Sequence, residues 1–147
     1  AESPPMTTLE TVLFDTGRVL LIAPPDAPDS VGKNIMVAWN GSSETARTIA
    51  LSMPLLKQAE KVTVVTVDTG VVTGPDGGGI VTYLSHHGIN AERDDVAAGS
   101  RGAGEAMLDE AVKLGSDMMI KGGYTRSRLR QTIFGGPTSP TVRSAAP

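Results

Sequence analysis

Toward the end of the chain, Gly122 is followed by Thr125 and then, after nine further residues, by Gly135-Gly136. Arg126, Arg128 and Arg130 place three cations in the same stretch. Backbone amides at glycine-bearing turns can approach a phosphate oxygen closely, and guanidinium groups supply matching charge and geometry. The chemistry this pattern suits is anion binding. The same letters also describe a strand end, a helix cap and a solvated arginine face, so spacing leaves both readings open.

Such turns act together only if something holds them at one edge. Short apolar runs alternate with amphipathic stretches along the chain, the pattern of an α/β fold whose parallel sheet is covered by helices. Asn34 to Trp39 (NIMVAW), Lys61 to Val67 (KVTVVTV) and Asp117 to Lys121 (DMMIK) are almost continuously apolar, which predicts central strands. Ala91 to Val96 (AERDDV) is polar and predicts an edge strand. Ala46, Ile49, Ala50 and Met53 share one helical face, with Pro54 shortening that helix. Two more helices are expected, from Ile80 to His87 and from Gly104 to Leu114. The first stops at Gly88; the second turns Ala103, Met107, Ala111 and Leu114 inward and stops at Gly115. The glycine-rich stretch between Asp68 and Gly79 reads as a mobile surface loop.

Parallel sheets bind ligands beyond the carboxyl ends of their strands. That rule selects Asn40-Gly41-Ser42, Val67-Asp68 and the segment Gly122 to Ser127 as loops converging on one cleft.

Composition narrows the classes. The 147 residues suit one core, and 39% apolar with 20% charged side chains describes a soluble globular chain, expected in the cytoplasm and away from membranes. The absence of cysteine excludes disulfides, thiol nucleophiles and thiolate metal sites. A net charge of -3 and only five aromatic residues argue against nucleic acid as a partner.

With these residues in view, the chain from Asn34 onward resembles the universal stress protein family, through VAWNGS and SDMMIKGGYTRSRLRQTIFGG. The resemblance implies a three-layer, flavodoxin-like α/β fold with a five-stranded parallel sheet. It also implies a cleft for ATP or AMP built on G-x-x-G, nine residues, then G-[S/T]. Gly122 takes the first glycine position and Gly135 the third, but Thr125 stands at the second and Gly136 at the hydroxyl position. Asn40 stands where nucleotide-binding members usually carry aspartate, and Pro137 removes an amide. Crowding by the Cβ of Thr125 weakens phosphate binding while its hydroxyl can still donate a hydrogen bond. On this resemblance Ala38, Asn40 and Val67 line the base and ribose side, and Gly122, Thr125, Arg126, Ser127, Gly135 and Gly136 surround the phosphates.

Residues 1–30 look like the end of a preceding repeat: a helix over Met6 to Asp15 stopped by Gly17, an apolar strand from Arg18 to Ala23, and a proline-bearing linker. Residues 31–147 then form the stress-protein domain, and TVRSAAP at the end stops where a last strand would stand. The strand Arg18 to Ala23 is expected to fill the resulting open edge, within the molecule or by exchange in a homodimer.

Other chemistry fares less well. Ala98 to Gly102 imitates a nucleophile elbow, yet His86 and His87 both precede Ser100 in the chain. The two histidines are neighbours pointing apart, a polar helix end and not a metal pair. Asp94-Asp95 and Asp109-Glu110 read as solvent-facing carboxylates. Walker and dinucleotide-fingerprint loops are missing from the sequence. The expected function is a non-enzymatic stress-response module with a modified nucleotide cleft. The alternatives are a ligand-free interaction module and a slow ATP hydrolase using Arg126 and Arg128.

Overall fold

Apolar runs too continuous for one-sided burial become the middle of a parallel sheet. The computed structural model describes residues 6–24, 26, 28–68, 76–100 and 102–123. In chain order these form α1 (Met6–Asp15), β1 (Asn34–Trp39), α2 (Ser43–Leu51), α3 (Met53–Leu56), β2 (Lys61–Asp68), α4 (Gly78–His86), β3 (Ala91–Ala97), α5 (Ala103–Lys113) and β4 (Met118–Lys121). The sheet order is β3-β2-β1-β4, every pair parallel. None of the described helices is long and apolar enough to cross a membrane.

Strand alternation divides the interior in two. Ile35, Val37 and Trp39 of β1 face Ile49, Leu56 and Leu84 of α2, α3 and α4, together with Val62, Val64 and Ile120. Met36, Ala38 and Val65 face Met107 of α5. The polar strand β3 lies at the sheet edge, where Lys61 pairs with Glu92 and Arg93 bridges Asp76 and Asp95.

Several expectations change once packing is decided. Four strands are found among the described residues, not five. Arg18 to Ala23 forms no strand, and Val19 and Leu21 are 44% and 68% exposed. An apolar run becomes a strand only where another backbone accepts its ladder, and the described residues offer it none. In α2 the inward face is Thr45 and Ile49, continued by Ser52 and Leu56, while Ala46 and Ala50 are exposed. The sheet selects the side that places the larger Ile49 and Leu56 inside.

Pro54 falls in the first turn of α3, so the helix breaks at Ser52 as the proline demands. α4 starts at Gly78, earlier than its apolar residues suggest, because Asp76 Oδ1 accepts the Gly78 amide at 3.0 Å. Residues 69–75 of the glycine-rich loop lie outside the described set. Glu110 is buried, contrary to its reading as a solvent-facing group. Its carboxyl accepts from Lys113 Nζ at 2.8 Å and lies near Asp94 of β3. Burial first, then the neighbouring Glu110, raises the Asp94 pKa above the usual carboxylate value.

One clasp joins the amino ends of the two neighbouring strands β1 and β4. Asp117 accepts from Ser30 Oγ (2.7 Å), Lys33 N (3.1 Å) and Asn34 N (3.0 Å), while Asn34 Nδ2 donates to the carbonyls of Leu114 and Gly115. Burial opposes the Asp117 charge, but the bonds from Ser30 and the backbone of Lys33, Asn34 and Gly32 together hold its pKa below the ordinary value. A lowered folded-state pKa contributes stability above the unfolded value of 3.8 and loses it as pH falls through the folded value. Asp117→Ala should therefore cost about 2 kcal/mol at pH 7, with the difference shrinking below pH 4. Urea unfolding of the two proteins at pH 7 and pH 3 measures this; an equal gap at both pH values would refute the charged clasp.

Candidate functional site

The chain leaves β1 toward β2 and β3 on one side and returns to β4 on the other, so the topological switch point lies between β1 and β4. At their carboxyl ends, where open α/β sheets leave a crevice, stand Asn40-Gly41-Ser42 and Gly122-Gly123. Ala38 and Lys121 are register partners across that junction. Val67, one strand further, packs half-buried on the α5 side. Thus Ala38, Asn40 and Gly122 come together and Val67 shares their edge. Thr125, Arg126, Ser127, Gly135 and Gly136 lie outside the described residues, as does Tyr124.

The β1–α2 turn is built by hydrogen bonds among short polar side chains. Gly41 adopts φ +72°, which favours glycine, and lets the chain reverse into the helix. Ser42 caps α2 by accepting the Thr45 amide at 3.2 Å. Asn40 Oδ1 accepts from Ser42 N (3.1 Å), Ser42 Oγ (2.8 Å) and Thr45 Oγ1 (2.6 Å). The acceptor of Asn40 is thereby committed to shaping the first turn of the helix.

Gly122 is buried against that same turn. A Cβ at this position would collide with Thr45 Oγ1 and lie 2.8 Å from the Thr45 amide nitrogen and 3.1 Å from its Cα. Two of these three atoms are backbone and cannot rotate away, so the absence of a side chain is already required by packing on α2. Gly123 is covered too: its Cβ would be 2.9 Å from Leu13 Cδ2 of α1.

Lys121 ends β4 on the face of Met119, opposite Ile120, which packs with α2. Burial lowers its pKa to about 8. Thr45, Lys121 and Leu13 were not among the site residues read from sequence, and Gly123 entered only as part of the loop Gly122 to Ser127. The charged end of the otherwise apolar run MMIK was a visible signal for Lys121; nothing local marks Leu13 or Thr45.

Chemically, the edge combines a helix N-terminus, a glycine turn and a strand-end lysine, a set suited to an anionic small ligand. A separate cavity of about 140 Å³, lined by Leu56, Lys57, Glu60, Gly88 and Asn90 among others, lies at the amino ends of the strands. Neither the switch point nor any of the selected loops borders it.

No protein-family model matches the chain, and no curated protein matches it. Among solved structures it is similar in fold to protein Rv1636 from Mycobacterium tuberculosis H37Rv, at 16% identity and a TM-score of 0.51, covering 79% of this chain and 90% of that one. It is also similar to a protein from the universal stress protein family from Burkholderia pseudomallei, at 18% identity and a TM-score of 0.50, covering 74% of this chain and 96% of that one. At these identities the likeness is one of fold, a parallel sheet clothed by helices.

The lysine makes a measurable demand on the fold. Its folded pKa of about 8 lies below the unfolded 10.5, so the folded chain binds fewer protons between these values and stability rises with pH across that window. Below about pH 8 the whole cost of charging the buried amine is present. Lys121→Met should raise stability at pH 7 by on the order of 2–3 kcal/mol and remove the rise in urea midpoint from pH 8 to 10. A parent midpoint that stays flat over that range, or a Met variant no more stable than the parent, would sink the assignment.

Proposed function

We propose that the chain is a non-enzymatic stress-response module carrying a modified adenine-nucleotide cleft that takes ATP or AMP weakly. The observation that carries this reading is the meeting of Asn40 and Gly122 through Thr45 at the junction of β1 and β4, where the order of strands reverses. The likeness in fold to a universal stress protein family member supports it. Ala38, Asn40 and Val67 serve the base and ribose; Gly122, Thr125, Arg126, Ser127, Gly135 and Gly136 serve the phosphates.

Weakness follows from the residues. Thr125 brings a Cβ where a bare amide suits a phosphate, Gly136 lacks a hydroxyl and Pro137 lacks an N–H. Titration calorimetry with ATP and AMP is expected to show binding that Thr125→Gly tightens about tenfold, the worth of one restored phosphate contact. A parent and a variant that both stay silent would favour the second reading, a ligand-free interaction module. That reading draws on the cover of Gly123 by Leu13. Magnesium-dependent phosphate release would overturn the non-enzymatic part.

The partner proposed is a second copy of the chain. β4 is the last strand of the described sheet, and the run Arg18 to Ala23, exposed at Val19, Leu21 and Ile22, has the composition of a strand and finds no ladder among the described residues. Exchange of this segment onto the partner's β4 supplies both. Sedimentation equilibrium should give a dimer that Leu21→Pro converts to monomer, because proline removes a ladder donor and its apolar cover; a parent monomer at all concentrations argues against exchange.

A further inference from the structure

The layer between α5 and the sheet edge holds more charge than a helix cover needs. By strand alternation Lys61, Thr63 and Val65 of β2 and Glu92, Asp94 and Val96 of β3 share the face that α5 covers, where Val65 and Val96 pack with Met107. Glu110 enters this layer from the helix and is 5% exposed. Two of the three carboxylates have an ammonium: Lys61 Nζ lies 3.1 Å from Glu92 Oε2, and Lys113 Nζ 2.8 Å from Glu110 Oε1. Asp95 belongs to the opposite face, where Arg93 holds it at 2.6 Å and also bridges to Asp76. Glu105 and Asp109 are exposed on α5. Half-buried Asp94 is thus the odd carboxylate of the layer, three acids against two bases among the described residues.

A second observation falls on the same face. Thr63 is 2% exposed, and its hydroxyl oxygen is buried without a hydrogen-bond partner among the described residues. It pairs in register with Glu92, and Asp94 follows two residues further along that strand. Ionised carboxylates only accept hydrogen bonds, whereas a protonated carboxyl also donates one. A single proton here evens the charge count, turns two repelling carboxylates into a donor and an acceptor, and brings a donor to a layer where a hydroxyl oxygen lacks one. We propose that Asp94 and Glu110 form a proton-binding site whose shared proton latches α5 to the edge strand, shut in acid and easing as pH rises. What the latch holds in place is the helix that covers Met36, Ala38 and Val65. Burial and then Glu110 raise the Asp94 pKa, the direction this requires, while Lys113 opposes it. A raised folded-state pKa contributes stability that is complete below the unfolded value of 3.8 and is lost as pH rises through the folded value. The latch draws on nothing at the β1 and β4 crevice, so it stands or falls apart from the nucleotide reading.

Carbon-detected NMR of the side-chain carboxyls follows both residues in the full chain without any substitution. The pair should release its shared proton in one step above 3.8. Amide hydrogen exchange, corrected for intrinsic rates, reads the latch itself. From about pH 4.5 to 7, protection of α5 relative to α2 should fall by up to about tenfold per pH unit across that step. Asp117 stays charged through this window, and His86 and His87 end α4 on the other side of the sheet, so neither is the source. Asp94→Asn should keep α5 at its acid level of protection throughout, and Lys113→Met should steepen the fall. An Asp94→Asn chain whose α5 protection still falls as in the parent, equal changes in α2 and α5, or a pair that titrates at or below 3.8 would overturn the latch. Should Asp94→Asn fail to fold, the titration and exchange of the parent decide.

Discussion

The contact between Gly122 and the first turn of α2 is the constraint on which the candidate site depends. It brings the end of β4 against Thr45, whose hydroxyl is in turn held by Asn40 at the end of β1. The end of β4 is thereby locked to the consecutive elements β1 and α2, far from it in sequence, by a glycine that has no room for even a methyl group. The geometry satisfies the helix's own donors first. The surface there is shaped by capping, and the acceptor of Asn40 is already engaged with Ser42 and Thr45.

Charges set into the body of the fold mark its other decisive places. Asp117 is charged and fully provided with donors, and it ties the amino ends of β1 and β4 together. Glu110 is buried yet paired with Lys113, and it faces Asp94 of the edge strand. Lys121 is the costly one, since burial disfavours its charge at neutral pH.

Much of the fold was legible. β1 occupies the residues its apolar run marks, β2 and β4 fall within one residue of theirs, and the polar run AERDDV lies at the sheet edge. Gly88 and Gly115 take positive φ where they end α4 and α5. What misled was composition without a partner. RVLLIA has the residues of a strand but no neighbouring ladder among the described residues, and Ala46 and Ala50 have the spacing of a buried face but less to bury than Ile49 and Leu56. Asp109-Glu110 looked solvent-facing because a polar pair on a helix usually is; Glu110 turns inward with Lys113 one turn on to pair it.

By itself the sequence determined the class of fold, the order of its strands and helices, and the loops able to meet at the carboxyl edge, because periodicity and glycine turns are local properties of a chain. It also determined what chemistry is closed to this protein, through the absence of cysteine. Only the tertiary structure decided that Gly122 answers to Thr45, that Lys121 is half-buried with a lowered pKa and that Leu13 covers Gly123. Those relations depend on residues far apart in the chain, and they exist only once α1 and α2 are set beside the end of β4.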